Sequence, residues 1–185
     1  MKSFNQIYKS NKLSERLIRI TPENFEELDK EIEDLPAKLA MIPSKWEWEE
    51  YAQCEGNTAL DVVDNITEMY DENDENENYL ILDDLRNPVG VITCLIQSDI
   101  DKKRKYIGKT VDNISLVAFK PNSITLVKDV MNLVKELRTK YNRVEWTVDN
   151  DNPIKRAYDR KIIEWSGTTR DLGDRTKYIL KGIQK

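Results

Sequence analysis

The sequence contains no histidine, and it has only two cysteines and six glycines in 185 residues. The lack of histidine excludes Ser-His and Cys-His catalytic pairs, so acid–base chemistry is left to Asp, Glu, Tyr, Lys or Cys. It also excludes histidine-ligated metals. Cys54 and Cys94 are too few and too far apart for a disulfide framework or a zinc site. No metal is therefore expected.

Long apolar runs are missing as well. Nothing in the sequence resembles the 20-residue apolar span of a transmembrane helix, and the first 12 residues lack the apolar core of a signal peptide. We therefore expect a cytoplasmic protein with no membrane partner. The net charge of −5 makes a nucleic-acid backbone an unfavourable partner, and none is expected.

Four tryptophans and eight tyrosines indicate a chain that packs a core rather than a disordered one. Its length suits one domain of ordinary size. We expect that domain to cover residues 17–185, behind a polar N-terminal extension at residues 1–16.

The first half of the chain predicts a strand followed by helices. Residues 17–20 alternate as a short strand, and Thr21-Pro22 provides a cap and first turn for an amphipathic helix that ends at Pro36. The apolar residues at helical spacing are Phe25, Leu28, Ile32 and Leu35. Ser44 begins a second helix with a capping box, and Thr58 caps a third helix that runs to Tyr70. Three aromatic residues of the second helix either pack it on a neighbour or line a substrate cleft: Trp46, Trp48 and Tyr51.

Two charge runs differ in sign. Residues 71–78 are acidic and predict a solvated loop, since like charges repel; the alternative is a segment that attracts a cationic substrate. A calcium loop would need a glycine turn and regular ligand spacing, which are missing. Residues 102–105 form a basic run, the only feature that would favour a nucleic-acid binder.

The second half predicts mostly antiparallel strands around one long helix. Strands are expected at residues 79–82 and 89–97, joined by a polar turn, and at residues 111–119. Ser123 can cap a helix that extends to about Lys140. Its apolar stripe consists of Ile124, Val127, Val130, Met131, Val134 and Leu137.

Residues 143–167 predict a strand, a polar turn, a short helix and a second strand. The first strand covers residues 143–148. Asn152 can cap the helix with Pro153 at its first position, where a missing N–H costs nothing. The second strand is expected at residues 162–165, and a final strand at residues 176–181.

This order of elements resembles the GNAT superfamily of acyl-CoA-dependent N-acetyltransferases. The resemblance implies an α/β (α+β) fold with a mixed, mostly antiparallel sheet of about six to seven strands flanked by four to five helices. It also implies acetyl-CoA as cosubstrate and a small-molecule or peptide amine as acceptor. A homodimer is compatible with it.

In that family, the strand before the long helix binds the acyl-pantetheine arm, and the turn into the helix binds the pyrophosphate through backbone N–H groups. The positions that correspond to cofactor contacts are Leu116, Val117, Ala118, Phe119, Lys120, Asn122, Ser123, Ile124, Thr125 and Asn152. The usual glycines are absent from this turn, and Pro121 removes one donor. The alternative is that Ser123 only caps the helix.

Tyr158 follows Asn152 in a motif similar to the family's Asn…Tyr helix, with Ile162-Ile163 in place of the usual Gly-Phe. The resemblance implies that Tyr158 protonates the leaving CoA thiolate; the alternative is a core or cleft-wall tyrosine with a bonded hydroxyl.

A base must remove a proton from the amine, directly or through water. The resemblance implies that such a carboxylate lies on a central strand. The first candidate is Asp112, which shares a strand face with three apolar residues by period two: Ile114, Leu116 and Ala118. Glu145 and Asp149 are weaker candidates, and each of these carboxylates is alternatively a solvent-exposed charge at a strand end.

Two hypotheses follow. The first is an N-acetyltransferase that works by direct attack, with Tyr158 as acid and Asp112 or a water as base. The second is a catalytically inactive protein of the same fold that serves as an interaction or regulatory module, because the glycine-free turn weakens the case for cofactor binding.

Overall fold

The computed structural model describes residues 16–43, 58–61, 63, 75–119 and 123–183. The strands are β1 (Leu17–Ile20), β2 (Glu75–Leu82), β3 (Pro88–Ile100), β4 (Tyr106–Ala118), β5 (Arg143–Asp149), β6 (Thr168–Asp171) and β7 (Arg175–Lys181). The helices are α1 (Pro22–Ile32), α2 (Leu35–Ala40), α3 (Ile124–Lys140) and α4 (Lys155–Glu164), and residues 59–61 and 63 are also helical. No helix of these residues is long and apolar enough to cross a membrane.

The strands form one sheet of seven in the order β1-β2-β3-β4-β5-β7-β6. β1 pairs with β2, β5 with β7, and β6 with β7, all antiparallel, whereas β4 and β5 are parallel. The long helix α3 connects these two parallel strands, as a crossover between parallel strands requires. The predicted fold class, a mixed and mostly antiparallel sheet with flanking helices, is confirmed.

The chain divides into two compact units, and the prediction of a single domain stays a prediction. Unit 1 contains residues 1–71, 76–93 and 116–121. Its described core is apolar and almost fully buried, and it gathers side chains from β1, β2, α1 and α2: Ile18, Ile20, Leu28, Ile32, Leu35, Leu39, Leu80 and Leu82.

The predicted first helix is two helices. α1 ends at Ile32 because Glu33 and Asp34 adopt positive φ values of 43° and 58°, which interrupt a right-handed helix. Leu35 then begins α2, and its N–H donates to Asp29 Oδ1 at 2.9 Å. Pro36 lies in the first turn of α2, where its missing N–H has no helical partner to lose. The prediction that Pro36 ends a helix is therefore wrong.

The acidic run is partly a strand. β2 begins at Glu75, and Glu77 is only 5% exposed. Glu77 pairs with Arg19 at 3.0 Å and accepts a hydrogen bond from the Tyr79 hydroxyl at 2.6 Å. The predicted solvated loop is therefore wrong for residues 75–78, because they belong to β2 and the buried Glu77 carboxylate is satisfied by Arg19 and Tyr79. Residues 71–74 lie outside the described residues.

The other predicted helices of the first half are largely outside the described residues. The second helix, with Trp46, Trp48 and Tyr51, is entirely outside. The third is described only at its start, where the Thr58 backbone N–H donates to the Asp61 carboxylate at 2.8 Å and the Thr58 hydroxyl accepts the Asp61 N–H at 3.3 Å. This reciprocal pair confirms the predicted cap at Thr58.

Unit 2 contains residues 72–75, 94–115 and 122–185. Ser123 caps α3, since its hydroxyl accepts the Leu126 N–H at 3.3 Å, as predicted. The predicted apolar stripe is buried except for Ile124, which is 74% exposed. Leu126 and Leu133 are buried instead.

The predicted strand at residues 162–165 is wrong, because α4 continues to Glu164. Tyr158 and Ile162 lie one turn apart and are both buried, whereas Ile163 is 76% exposed, which is helical spacing and not strand alternation. The chain then turns at Gly167, whose N–H donates to Ile162 O at 2.8 Å. A β-carbon at Gly167 would meet the side-chain ends of Ile162 and Leu180, so these side chains would have to shift to admit a larger residue. The following strand is β6, at residues 168–171.

Candidate active site

The two parallel strands of unit 2 pair over a short length. β4 and β5 pair at Thr110 with Arg143 and at Val111 with Val144, and both strands then continue beyond these pairs. β5 uses its other edge fully, since all seven of its residues pair with β7. Within unit 2, residues 112–115 of β4 and 145–149 of β5 therefore show no mutual strand pairing, and we call the interval between them the β4–β5 opening.

One face of β5 and β7 carries an aromatic cluster of three residues. Trp146 and Tyr178 are register partners whose rings stack, with centroids 5.2 Å apart and planes 11° apart. Tyr158, from α4, packs on both rings with centroid distances of 6.1 Å and 6.0 Å. Trp146 belongs to the part of β5 beyond the last pair with β4. The cluster thus brings Tyr158 to the strand that borders the β4–β5 opening.

Tyr158 is 5% exposed, and burial raises its pKa to about 12. Among the described residues its hydroxyl has no hydrogen-bond partner, in contrast to the bonded hydroxyl of a typical buried tyrosine. At neutral pH this hydroxyl is therefore protonated and able to donate. Both predicted roles of Tyr158, an acid and a core or cleft-wall tyrosine, stay predictions.

Tyr178 shows the contrasting arrangement. It is fully buried, and its hydroxyl donates to Asp159 Oδ1 at 2.7 Å. Burial, followed by this bond to a carboxylate, raises the pKa of Tyr178 above its ordinary value. Lys155, four residues before Asp159 on α4, contacts both carboxylate oxygens at 3.1 Å. Lys155, Asp159 and Tyr178 therefore tie α4 to β7 beside Tyr158, a link that sequence spacing alone did not indicate.

The opposite face of the same strands carries a charge cluster. Glu145 is 5% exposed and pairs with Arg143 Nε at 2.6 Å and with Lys177 Nζ at 2.5 Å. Lys177 also lies 3.6 Å from Asp112 on β4. Burial by itself lowers the pKa of Lys177, but the bond to Glu145 and the two nearby carboxylates raise it above its ordinary value. The prediction that Glu145 is a solvent-exposed charge is wrong, because cations on both sides hold it in the sheet.

Asp112 and Tyr158 are on opposite faces of the sheet in unit 2. Trp146, which contacts Tyr158, alternates along β5 with Glu145, which shares Lys177 with Asp112. The side chain of Asp112 is 33% exposed, so it remains accessible to solvent. The predicted acid and base therefore lie on opposite faces of the sheet: Asp112 is on β4, which borders the β4–β5 opening, and Tyr158 packs on Trp146 of β5 and Tyr178 of β7. Asp149, the other weaker candidate, is exposed and lies 3.5 Å from Arg175.

The residues expected to contact the cofactor have different surroundings. In unit 1, Val117 and Ala118 are buried, Leu116 is half-buried, and Phe119 is 50% exposed with its N–H donating to Val89 O. Lys120 and Asn122 lie outside the described residues. In unit 2, the Ser123 hydroxyl is used as a cap, while Ile124 and Thr125 are exposed in the first turn of α3.

Asn152 has a structural bond, since its side-chain oxygen accepts the Ile154 N–H at 3.0 Å. α4 begins two residues later than predicted, at Lys155. An open depression of about 560 Å³ lies at this end of α4, and its lining is polar and charged: Asn150, Asn152, Pro153, Lys155, Arg156 and Asp159. This depression adjoins the residue that follows Tyr158 in the chain.

Comparison with known proteins finds likeness at the level of structure. No family model matches the chain, and no curated protein matches it. The chain is similar to apo FdhC, a nucleotide-linked sugar GNAT, at 10% identity and a TM-score of 0.46, over 90% of this chain and 86% of that one. It is similar to the N-acetyltransferase PseH from Campylobacter jejuni, solved with acetyl coenzyme A, at 17% identity and a TM-score of 0.43, over 68% and 78%.

A third similar structure is the spermidine/spermine N-acetyltransferase SpeG from Vibrio cholerae, at 10% identity and a TM-score of 0.45, over 92% of this chain and 95% of that one. At such identities the comparison says nothing of this chain's substrate.

Proposed function

We propose that this chain, which has the GNAT fold, is an acetyl-CoA-dependent N-acetyltransferase that acts on a small-molecule or peptide amine by direct attack. The observation that carries the proposal is the β4–β5 opening, with the Asp112 carboxylate on β4 at one face and Tyr158 packed on Trp146 of β5 at the other; the Tyr158 hydroxyl is protonated and has no hydrogen-bond partner among the described residues. Through such an opening, an acyl donor and an amine can meet at the thioester bond from opposite faces of the sheet.

Acetyl-CoA would supply an acetyl thioester, whose C–S bond breaks as the amine nitrogen forms the new C–N bond. The amine must lose a proton and the sulfur must gain one, so the reaction needs an acceptor and a donor of protons. Tyr158 is suited to the donor role, because a hydroxyl with a pKa of about 12 is fully protonated at neutral pH.

A free thiol has a pKa of about 8.5, well below the pKa of Tyr158, so full proton transfer from Tyr158 to the thiolate would be unfavourable by itself. Tyr158 therefore acts first as a hydrogen-bond donor that stabilises the charge developing on sulfur. Its proton moves only as the amine, which becomes acidic on acylation, releases its own. The amine proton is taken by Asp112 or by a water. Lys177, 3.6 Å from Asp112, holds that carboxylate near the opening.

The residues at the N-terminal end of α3 partly fit a phosphate-bearing cosubstrate. The first-turn N–H groups of a helix have no intrahelical acceptor, and those of Ile124 and Thr125 are at exposed residues. The Thr125 hydroxyl adds a donor there. The Ser123 hydroxyl serves instead as a cap, which orients this end of the helix. Ser123, Ile124 and Thr125 are thus the residues that we expect to hold the diphosphate through their backbone.

The first experiment is calorimetric titration of the protein with acetyl-CoA. We expect binding with a Kd in the micromolar range or tighter and a rise in Tm with ligand concentration. Desulfo-CoA tests whether the nucleotide end suffices for binding. No heat and no change in Tm at millimolar acetyl-CoA would refute the proposal and favour the interaction-module alternative.

The second experiment measures CoA release with a panel of polyamines and peptide amines as acceptors. Tyr158→Phe should lower turnover by about 100-fold without weakening acetyl-CoA binding, because its hydroxyl acts only as the thiolate forms. Tyr106→Phe, at a tyrosine that is 58% exposed, is the matched control and should be unchanged. Undiminished turnover in Tyr158→Phe would remove Tyr158 from the mechanism.

A further inference from the structure

The turn between β3 and β4 in unit 2 combines basic and apolar side chains at the surface. Its loop carries four successive cations, Lys102, Lys103, Arg104 and Lys105, all exposed. Three large apolar residues flank them and are also exposed: Ile100 at 62%, Tyr106 at 58% and Ile107 at 55%. We call residues 100–107 the basic tip.

The basic tip has an ordered backbone. Asp101 Oδ1 accepts the N–H groups of Lys103 and Lys105, each at 2.8 Å. The Asp101 N–H donates to Lys105 O at 2.9 Å, and Arg104 adopts a φ of 58° to close the turn. The Asp101 carboxylate thus holds the backbone of the loop.

The charge of the basic tip is unbalanced. Four cations and one carboxylate give residues 100–107 a net charge of +3, in a chain whose net charge is −5. None of the four cations forms an ion pair with a carboxylate of the described residues. Because such a concentration of like charge repels itself, an anionic partner would relieve it.

The exposed apolar residues of the basic tip distinguish between the kinds of partner that could cover it. A nucleic-acid backbone would use the cations but would give Ile100 and Ile107 nothing to contact. Two copies of the chain joined tip to tip by a twofold axis would bring like charges together. A stable protein partner needs about 800 Å² per side from 20–30 residues, and the basic tip has eight.

An anionic lipid surface uses both kinds of side chain. Lysine and arginine attract acidic headgroups, while isoleucine and tyrosine favour the boundary between headgroups and acyl chains. We propose that the basic tip attaches this protein peripherally to an anionic lipid surface. We expected no membrane partner because the chain lacks an apolar span, but peripheral attachment needs no span. The proposal does not depend on the acetyltransferase reaction.

The test is co-sedimentation of the full chain with phosphatidylcholine vesicles that contain 0 or roughly one-third phosphatidylglycerol. We expect binding only with phosphatidylglycerol, and weaker binding as salt is raised. The variant Lys102→Gln/Lys103→Gln should lower the affinity by roughly 30-fold, from about 1 kcal/mol for each basic residue near the surface. The matched control is Lys128→Gln/Lys135→Gln, two exposed lysines of α3, which should bind like the unchanged protein.

A third variant separates the apolar contribution. Ile100→Ser/Tyr106→Ser keeps all four cations, and it should weaken binding while leaving the salt dependence as it was. Equal binding to neutral vesicles, or an equal loss in the α3 control, would overturn the proposal. So would the absence of vesicle binding together with salt-sensitive binding of a single- or double-stranded oligonucleotide, which would assign the basic tip to nucleic acid.

Discussion

The charge cluster around Glu145 provides a measurable test of how buried charges stabilise unit 2. The side chain of Glu145 is 6% exposed, and it accepts from Arg143 and Lys177 at 2.6 Å and 2.5 Å. Glu145→Gln removes the carboxylate charge and leaves Lys177, 24% exposed, with only Asp112 at 3.6 Å. A hydrogen bond to a charged group contributes about 1.5–3 kcal/mol. Because Arg143 is half-exposed, its bond counts for less than about 1 kcal/mol.

The expected loss in the free energy of unfolding for Glu145→Gln is therefore about 3 kcal/mol. For a chain of this length that corresponds to a fall in Tm of roughly 6–12 °C. Lys177→Met should cost about 2.5 kcal/mol, since Glu145 then keeps Arg143. The double variant should cost about 3.5 kcal/mol, because the two residues share one interaction, which implies a coupling of about 2 kcal/mol.

Urea denaturation followed by circular dichroism measures all four proteins of this cycle. Lys161→Met is the matched control, since it breaks an exposed pair with Glu164 and should cost less than about 1 kcal/mol. If the double variant loses the sum of the two single losses, about 5.5 kcal/mol, the residues are uncoupled. The interpretation of Glu145 as a shared buried anion would then be wrong.

Three further predictions concern other parts of the molecule. Tyr178→Phe should cost about 1.5 kcal/mol in urea denaturation by removing the bond to Asp159, and adding Asp159→Asn should cost little more; additive losses would contradict the shared bond. The free energy of unfolding should fall as the pH rises above about 10. The reason is that folding raises the pKa values of Tyr158 and Lys177, so the unfolded chain loses these protons first. Tm measured from pH 8 to 11 should fall less in Tyr158→Phe than in the unchanged protein. Leu28→Ala, at a fully buried residue of α1, should lower the free energy of unfolding by about 2–5 kcal/mol, whereas Ile163→Ala, at a residue that is 76% exposed, should lower it by less than about 0.5 kcal/mol. Equal losses in the two variants would show that the core is placed wrongly.

The order of elements followed from local patterns. The caps at Ser123 and Thr58 and the strand at residues 17–20 each depend on neighbours within four residues in the chain, so propensity and capping chemistry suffice to predict them. The sheet class was an implication of the family resemblance of that order, and the parallel pairing of β4 with β5 came from the structure.

Local patterns were misleading where two structures fit the same residues. The run Ile162 to Trp165 is apolar enough for a strand, but Ile162 is buried one turn after Tyr158 and so continues α4. The acidic run predicted a loop, yet Glu77 is buried in β2, where it pairs with Arg19 of the neighbouring strand β1 and accepts from Tyr79, two residues along its own strand. Arg19 is far from Glu77 in the chain, so this pairing could not be read from the local pattern.

Tyr158 was identified as a candidate from its place after Asn152, and Asp112 from strand alternation. The tertiary structure alone decided that the Tyr158 hydroxyl has no bond among the described residues while that of Tyr178 has one. It also decided that Asp112 and Tyr158 lie on opposite faces of the sheet. The physical reason is that strand pairing and helix packing join residues distant in the chain, and the burial and charge of each side chain depend on those partners.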